Sequence, residues 1–256
     1  MRDRIEDRAA KHATPAALQL RDRLLVALAF ASGGYEAICF LSFGKVFTGF
    51  QTGNIIFLGV GLAGTRPPLG PDPVTVVVSL AAFAVGGAAA VGILKAFDGD
   101  QEVDDDQVFE VWPRQVSIAL GLALVAQVGF LAVWLDGSPS SQVTNLLVGL
   151  NAFAMGVQMN AIRALHVPGI STTAASATFI SLVSGIAFWS HKATAARRLT
   201  GVVVAMALGA SVGDWMLSHA HTDAPAVPLL VIAIVVAIAS VKFRTKHGDP
   251  GTRTPE

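Results

Sequence analysis

Charge is scarce in this chain. Asp, Glu, Lys and Arg make up 14% of its 256 residues, against roughly a quarter in soluble domains, while hydrophobic residues reach 53%. That balance excludes a water-solvated fold and makes lipid the solvent for most of the chain. Cysteine is nearly missing: Cys39 stands alone, which excludes an intramolecular disulfide, and its apolar surroundings make it read as a small apolar filler. Neither sign of charge is in excess, with 18 basic and 18 acidic residues. The basic ones sit in short clusters at segment ends, so the continuous stripe of a nucleic-acid-binding surface is excluded. The patterns H-E-x-x-H, G-x-S-x-G and G-x-x-x-x-G-K-[ST] do not occur, and no paired nucleophile and base can be found. The chain is expected not to be an enzyme, to need no cofactor and to drive nothing with ATP by itself. His219, His221 and Asp223 share a loop without a fourth ligand and read as surface residues, with no metal.

Long apolar runs are what the chain does have. A helix crossing a bilayer needs roughly 17 to 25 such residues, and eight stretches qualify: Leu24 to Gly44, Val46 to Ala63, Val74 to Phe97, Val116 to Leu135, Val143 to Leu165, Ile170 to Trp189, Thr200 to Leu217 and Val227 to Phe243. Arg21 to Ser32 imitates a secretory signal, but the apolar run continues through Ile38, Phe40 and Leu41. The second and sixth stretches open with Thr48, Gly49, Gln51 and Thr52, or with Ser171, Thr172, Thr173 and Ser176, and each reads as a broken helix. Pro67, Pro68, Gly70, Pro71 and Pro73 mark one loop; Gly137, Ser138 and Pro139 mark another. The acidic stretch Asp98 to Glu110 reads as solvated.

The two sides of that acidic stretch resemble each other. A slide of 124 residues sets Ala37-Ile38 on Ala161-Ile162, Thr48 on Thr172, Leu58 on Leu182 and Gly61 on Gly185, with Glu36 opposite Asn160 and Thr52-Gly53-Asn54 opposite Ser176-Ala177-Thr178. Internal repeats of this kind are common in transporters, whose sites lie at the repeat interface. The expected organisation is a polar cytoplasmic segment (1–23), a first membrane repeat (24–135, with the acidic loop 98–110), a second membrane repeat (143–243) and a polar cytoplasmic tail (244–256). It is an all-α, polytopic transmembrane bundle of about eight hydrophobic segments in two related halves of four, with six to eight crossings. Both counts put most Lys and Arg on the side of the termini, as the positive-inside rule asks. With eight crossings the exceptions are Lys45, Lys95, Arg114 and Arg163; with six they are Lys45 and Arg66. The acidic loop is outside in the first case and inside in the second.

Glu36 carries the most information. It lies deep in an apolar segment, where an ionised carboxylate costs several kcal/mol (about 3 on insertion scales) unless paired, hydrated or protonated. It reads as a proton or cation site, or as a tie between helices. Gln51 and Thr52-Gly53-Asn54 lie where a broken helix would restart, and amide groups at such a start favour an anionic or strongly polar ligand; plain capping is the alternative. Thr172, Thr173 and Ser176 are their counterparts. Asn151, Met155 and Gln158 share one face of the fifth segment and Asn160 points nearly the opposite way. Gly209 and Gly213 have the spacing of close helix packing. The expected binding residues are therefore Glu36, Gln51, Thr52, Gly53, Asn54, Gln158, Asn160, Thr172, Thr173 and Ser176.

Gly34-Tyr35-Glu36-Ala37, Val46-Phe47, Gln51-Thr52-Gly53-Asn54 with Leu58-Gly59, Gly156-Val157-Gln158-Met159-Asn160-Ala161 and Thr172-Thr173 together resemble the YoaK family of bacterial membrane proteins. The likeness runs from Leu24 to Phe243. Two departures stand out: Glu36 where that family has Asp, and Ser176-Ala177 where it has a second Thr-Gly. The family's function is unassigned, so the resemblance implies a membrane class and no substrate. The expectation is a secondary transporter or permease for a small polar or anionic solute in the bacterial inner (cytoplasmic) membrane, multi-pass with both termini inside. Its partners are lipid, an unidentified solute and, in an oligomer, further copies. A non-transporting assembly partner or sensor is the alternative.

Overall fold

A computed structural model describes residues 14–64, 70–98, 111–137, 140–165, 167 and 193–243. Among these, seven α-helices form the bundle and no strand occurs: α1 (Pro15–Ser42), α2 (Gln51–Leu62), α3 (Pro73–Asp98), α4 (Arg114–Asp136), α5 (Ser141–Arg163), α6 (Ala193–His219) and α7 (Ala226–Lys242). Thr14 caps α1, its hydroxyl accepting from the Ala17 N–H, and Pro15 takes the first helical position, where a missing N–H costs nothing. Ser140 caps α5 in the same way, and Gly137 (φ 66°) ends α4 in the left-handed region. Helix α1 starts well ahead of Leu24 and takes in Arg21 and Asp22, which the sequence alone places in a solvated segment. Arg21 is buried, 3.1 Å from Asp22, and Arg198 on α6 approaches Asp22 at 3.7 Å.

Four of the helices, α1, α3, α4 and α6, and the stretch His221–Lys242 that contains α7 are long and apolar enough to cross a bilayer. Helix α5 matches them in length but carries Asn145, Asn151, Gln158 and Asn160. It can do so because its amides face other helices: Asn151 and Gln158 are fully buried. Helix α2 has 12 residues, about 18 Å at 1.5 Å per residue, too short for a hydrocarbon core of about 30 Å.

Side-chain contacts fix the direction of each helix. Asp22, Val26, Phe30 and Gly34 on α1 meet Arg198, Gly201, Gly209 and Gly213 on α6, so these two run parallel. Thr75, Val78 and Gly87 on α3 meet Asn145, Gly149 and Asn160 on α5, again parallel. Ser32 and Cys39 meet Gln158 and Asn151, which makes α5 antiparallel to α1. Gln127 and Gly129 on α4 meet Asn151 and Leu150 on α5, which makes these two antiparallel. Trp134 at its end stacks on His221 before α7, while Trp112 before its start stacks on Phe243 after α7. Helices α1, α4 and α6 therefore point one way, and α3, α5 and α7 the other.

This arrangement fits the broken helix expected in the second stretch, Val46 to Ala63, whose helical part is Gln51–Leu62. The end of α1 and the start of α3 lie at the same end of the bundle. Residues 43–50 dip back to the depth of Glu36, and α2 then returns outward, from Ser79 on α3 at its start to Pro73 at Gly61. The sixth segment, with Thr172, Thr173 and Ser176, lies outside the described residues.

Two helix pairs carry the tightest packing. At Gly33 and Gly209 the carbonyl oxygens of Met206 and Phe30 occupy the place a Cβ would take, and at Gly86 and Gly156 those of Phe153 and Phe83 do the same. In lipid, where burying apolar surface does not drive helices together, such close backbone approach is the main source of attraction. The close packing expected of Gly209 and Gly213 is thus present, with α1 as the partner.

Candidate functional site

The site is built on the turn after α1. Gly44 (φ 71°) and Lys45 (φ 68°) are both left-handed, and two such residues in succession reverse the chain so that residues 46–50 run back beside α1. Lys45 adopts this conformation without being glycine, a strained choice held by its N–H donating to the Phe40 carbonyl at 3.0 Å.

That reversal brings backbone donors to Glu36, which is buried six residues before the end of α1, about 9 Å along the axis. Its carboxylate accepts from the Thr48 hydroxyl at 2.9 Å, from the Thr48 N–H at 3.3 Å and from the Gly49 N–H. Among the described residues no Lys, Arg or His forms an ion pair with it. Hydrogen bonds to a charged acceptor are roughly twice as strong as neutral ones, and three of them stand in for the missing cation.

The rest of the turn is tied as completely. Asn54 accepts from the Phe47 N–H at 3.1 Å and donates to the Phe47 carbonyl at 2.6 Å and to Gln51 at 2.8 Å. Ser79 on α3 donates to the same carbonyl at 2.6 Å, and Gln51 donates to the Thr48 carbonyl at 2.6 Å. Gly53 has a steric reason: a Cβ there would lie 2.8 Å from the Phe47 ring. From the far side, Asn151 on α5 donates to the Thr48 hydroxyl at 2.8 Å and to the Cys39 sulfur at 3.0 Å, and Gln127 on α4 donates to Asn151 at 2.8 Å.

Glu36, Gln51, Gly53 and Asn54 thus come together. Thr52 does not, pointing outward and exposed. Gln158 belongs to a second cluster on the α1–α5 seam, donating to Ser32 at 2.8 Å while Ser32 donates to the Leu28 carbonyl. It sits two turns from Asn151, about 10 Å. Asn160 lies apart from both, against Gly87 with its amide on the Gly156 carbonyl. The N–H groups that meet an anion are those of Thr48 and Gly49, ahead of the Gln51–Asn54 stretch the sequence suggests, and the anion is the protein's own carboxylate. Sequence reasoning passed over Ser79 and Gln127 as binding residues, although each is an isolated polar residue in a Val- and Leu-rich run. Cys39, read as filler, accepts a hydrogen bond. His219 and His221 do not converge: one stacks on Trp215 and the other on Trp134.

Comparison with known proteins adds the family. The family described as "Protein of unknown function (DUF1275)" matches residues 24–238. The UPF0700 transmembrane protein YoaK of Bacillus subtilis (strain 168) is 32% identical over 166 residues, covering 65% of this chain and 67% of that protein. No solved structure matches. With its apolar helices, its buried intramembrane carboxylate and this match over most of its length, the chain is a multi-pass integral membrane protein that belongs to the DUF1275 family.

Proposed function

We propose that the protein is a secondary transporter of the bacterial cytoplasmic membrane for a small polar or anionic solute, with Glu36 as its proton-binding group and residues 43–62 as the element that moves. One observation carries this reading: a buried carboxylate is held by hydrogen bonds from a re-entrant segment and not by a cation. A proton arriving at such a group removes the charge that the donors stabilise, and the segment they belong to is released. The reading contains no enzyme, cofactor or nucleic acid.

The two helix pairs support a two-halved architecture. A step of 123 residues carries Phe30, Gly33, Phe83 and Gly86 onto Phe153, Gly156, Met206 and Gly209, and it carries the α1–α6 glycine contacts onto those of α5–α3. One extra residue between Gly156 and Asn160 accounts for the step of 124 from Asn160 to Gly185, and the step is 123 again at Met206 and Gly209. Because α5 opposes α1, the halves are inverted, the form in which alternating access is built around a central site.

Inverted halves imply six crossings, with residues 98–110 on the side of the termini and every Lys and Arg except Lys45 and Arg66 in the cytoplasm. In a Cys39→Ser background, a cysteine placed between Asp98 and Glu110 should be protected from an impermeant thiol reagent added to intact cells, whereas one at Gly64 should be labelled. Labelling at the acidic loop would sink the inverted arrangement.

The transport reading is tested in proteoliposomes holding a pH-sensitive dye and challenged with a panel of small carboxylates, phosphates and polyols. The wild type should move protons with at least one of these solutes, and Glu36→Gln should lose that movement at unchanged folded yield. Lost yield without any solute-dependent proton movement in the wild type would favour the alternative, a clasp in a protein that does not transport.

A further inference from the structure

We infer that Gln127, Asn151 and Thr48 form a hydrogen-bond chain whose direction is set by the protonation state of Glu36, so that proton uptake reverses the chain and loosens the re-entrant segment. The inference deepens the proposed function and rests on Glu36 being its proton-binding group.

The direction of each bond follows from the one before. An ionised carboxylate only accepts, so the Thr48 hydroxyl must donate to Glu36 Oε1. The Thr48 oxygen is then free to accept, and Asn151 turns its Nδ2 towards it. That leaves Asn151 Oδ1 facing α4, where it accepts from Gln127 Nε2. Gln127 is thereby left with Oε1 at the far end, buried and without a partner among the described residues. An unpaired buried carbonyl is unfavourable, and turning the Gln127 amide over would only set its oxygen against Asn151 Oδ1. The leftover acceptor is the signature of a chain whose donors all point at one anion.

Adding a proton makes that arrangement unworkable. On Oε2 the new O–H would meet the Thr48 N–H, donor against donor. On Oε1 it meets the Thr48 hydroxyl, which can accept it only by sending its own hydrogen elsewhere. Asn151 Oδ1 receives that hydrogen if the amide turns over, and Nδ2 then donates to Gln127 Oε1 once that amide has turned as well. The balance is simple: one proton from the aqueous phase forms the Glu36 O–H bond, no covalent bond of the chain breaks, and the unpaired group at Gln127 changes from acceptor to donor. The Thr48 and Gly49 N–H groups lose their charged acceptor in the same step.

Among the described residues, nothing else beside Glu36 competes for this role. Its own helix offers Tyr35 and Cys39, the re-entrant segment Thr48 and Gly49 with Lys45 exposed, α3 Ser79, α4 Gln127 and α5 Asn151. Tyr35 is committed elsewhere, donating to the Pro225 carbonyl.

The test needs no solute. Protein with 15N-labelled glutamine side chains, in detergent micelles, is followed by NMR across a pH series while infrared difference spectra report the Glu36 carboxyl. The Gln127 amide resonance is assigned by its loss in Gln127→Leu, or in Gln127→Met should the first variant fail to fold. In the wild type it should shift with the same midpoint as the carboxyl band, and backbone exchange at Thr48 and Gly49 should speed up roughly tenfold as their charge-assisted bonds are lost. In Glu36→Gln both responses should vanish. A carboxyl that titrates while Gln127 stays still, or a Gln127 shift that survives in Glu36→Gln, overturns the chain and leaves the transport reading standing. Solute-driven proton movement absent from proteoliposomes of the same protein, with the coupled shift intact in micelles, overturns transport and leaves the chain.

Discussion

Replacing Gly209 or Gly156 with valine is expected to abolish the folded protein, while Gly92→Ala leaves it unchanged or slightly more stable. A Cβ at Gly209 would fall on the Phe30 carbonyl oxygen and one at Gly156 on that of Phe83. These obstacles are backbone atoms inside helices, so no rotamer change can move them. The helices must separate, and a neighbouring contact goes with them: a Cβ at Gly213 would lie only 2.7 Å from the Gly34 carbonyl oxygen, so Gly34 and Gly213 are already as close as glycines allow. Overpacking a soluble core typically costs about 1–3 kcal/mol. Here the cost should be at the top of that range or above, because dispersion between the two surfaces is the attraction being lost and each atom pair gives only about 0.1–0.2 kcal/mol at its optimal distance. Gly92 has nothing within 4 Å of a built Cβ, and alanine there removes a helix penalty of about 1 kcal/mol. Gly201→Ala should fall between, since Val26 Cγ2 stands at 3.3 Å and is a side-chain atom that can yield. Folded yield and melting temperature in detergent would rank the four variants; a Gly209→Val protein melting with the wild type would show that these carbonyl contacts do not hold the pairs together.

Those glycines also show how far the sequence can be read. The spacing of Gly209 and Gly213 announces a close approach but not its partner, because Phe30 and Gly34 lie in a helix far away in the chain. Glu36 is conspicuous, since a carboxylate in an apolar run is costly wherever it goes. Its donors are not conspicuous. They arrive through a reversal at Gly44 and Lys45, and a lysine in the left-handed region leaves no mark on composition. The break itself is legible in Gln51-Thr52-Gly53-Asn54, yet these residues suggest an open turn, and the structure closes it by clamping Asn54 on the Phe47 backbone. Ser79 escapes notice because a serine in a helix can satisfy itself on its own backbone, as Ser211 does on the Ala207 carbonyl. Gln127 has no such escape. A lone amide between Ala126 and Val128 invites the same question as Glu36, and looking for amides only where several lie close together in the chain misses it.

Asn151→Leu should destabilise the protein by about 3 kcal/mol, and adding Gln127→Leu should make it more stable again. The single change keeps the side-chain volume roughly constant but takes away the acceptor that Gln127 Nε2 uses among the described residues. Both ends of the Gln127 amide are then unpaired in a buried position, and each such group costs about 1–3 kcal/mol. Removing the amide as well removes those orphans, and apolar replacement of both partners is often close to neutral. Gln127→Leu alone should be mild, because it deletes an oxygen that has no partner among the described residues while freeing only Asn151 Oδ1. The cycle is therefore expected to give a coupling energy of about 1–2 kcal/mol, above the 0.6 kcal/mol or so typical of hydrogen bonds between membrane helices. Unfolding in a mixed-micelle titration measures all four proteins. The sign decides: were the double variant less stable than Asn151→Leu, the two amides would act as independent fillers, and the Thr48 bond to Glu36 would be a local contact instead of the end of a chain that crosses from α4 through α5 to α1.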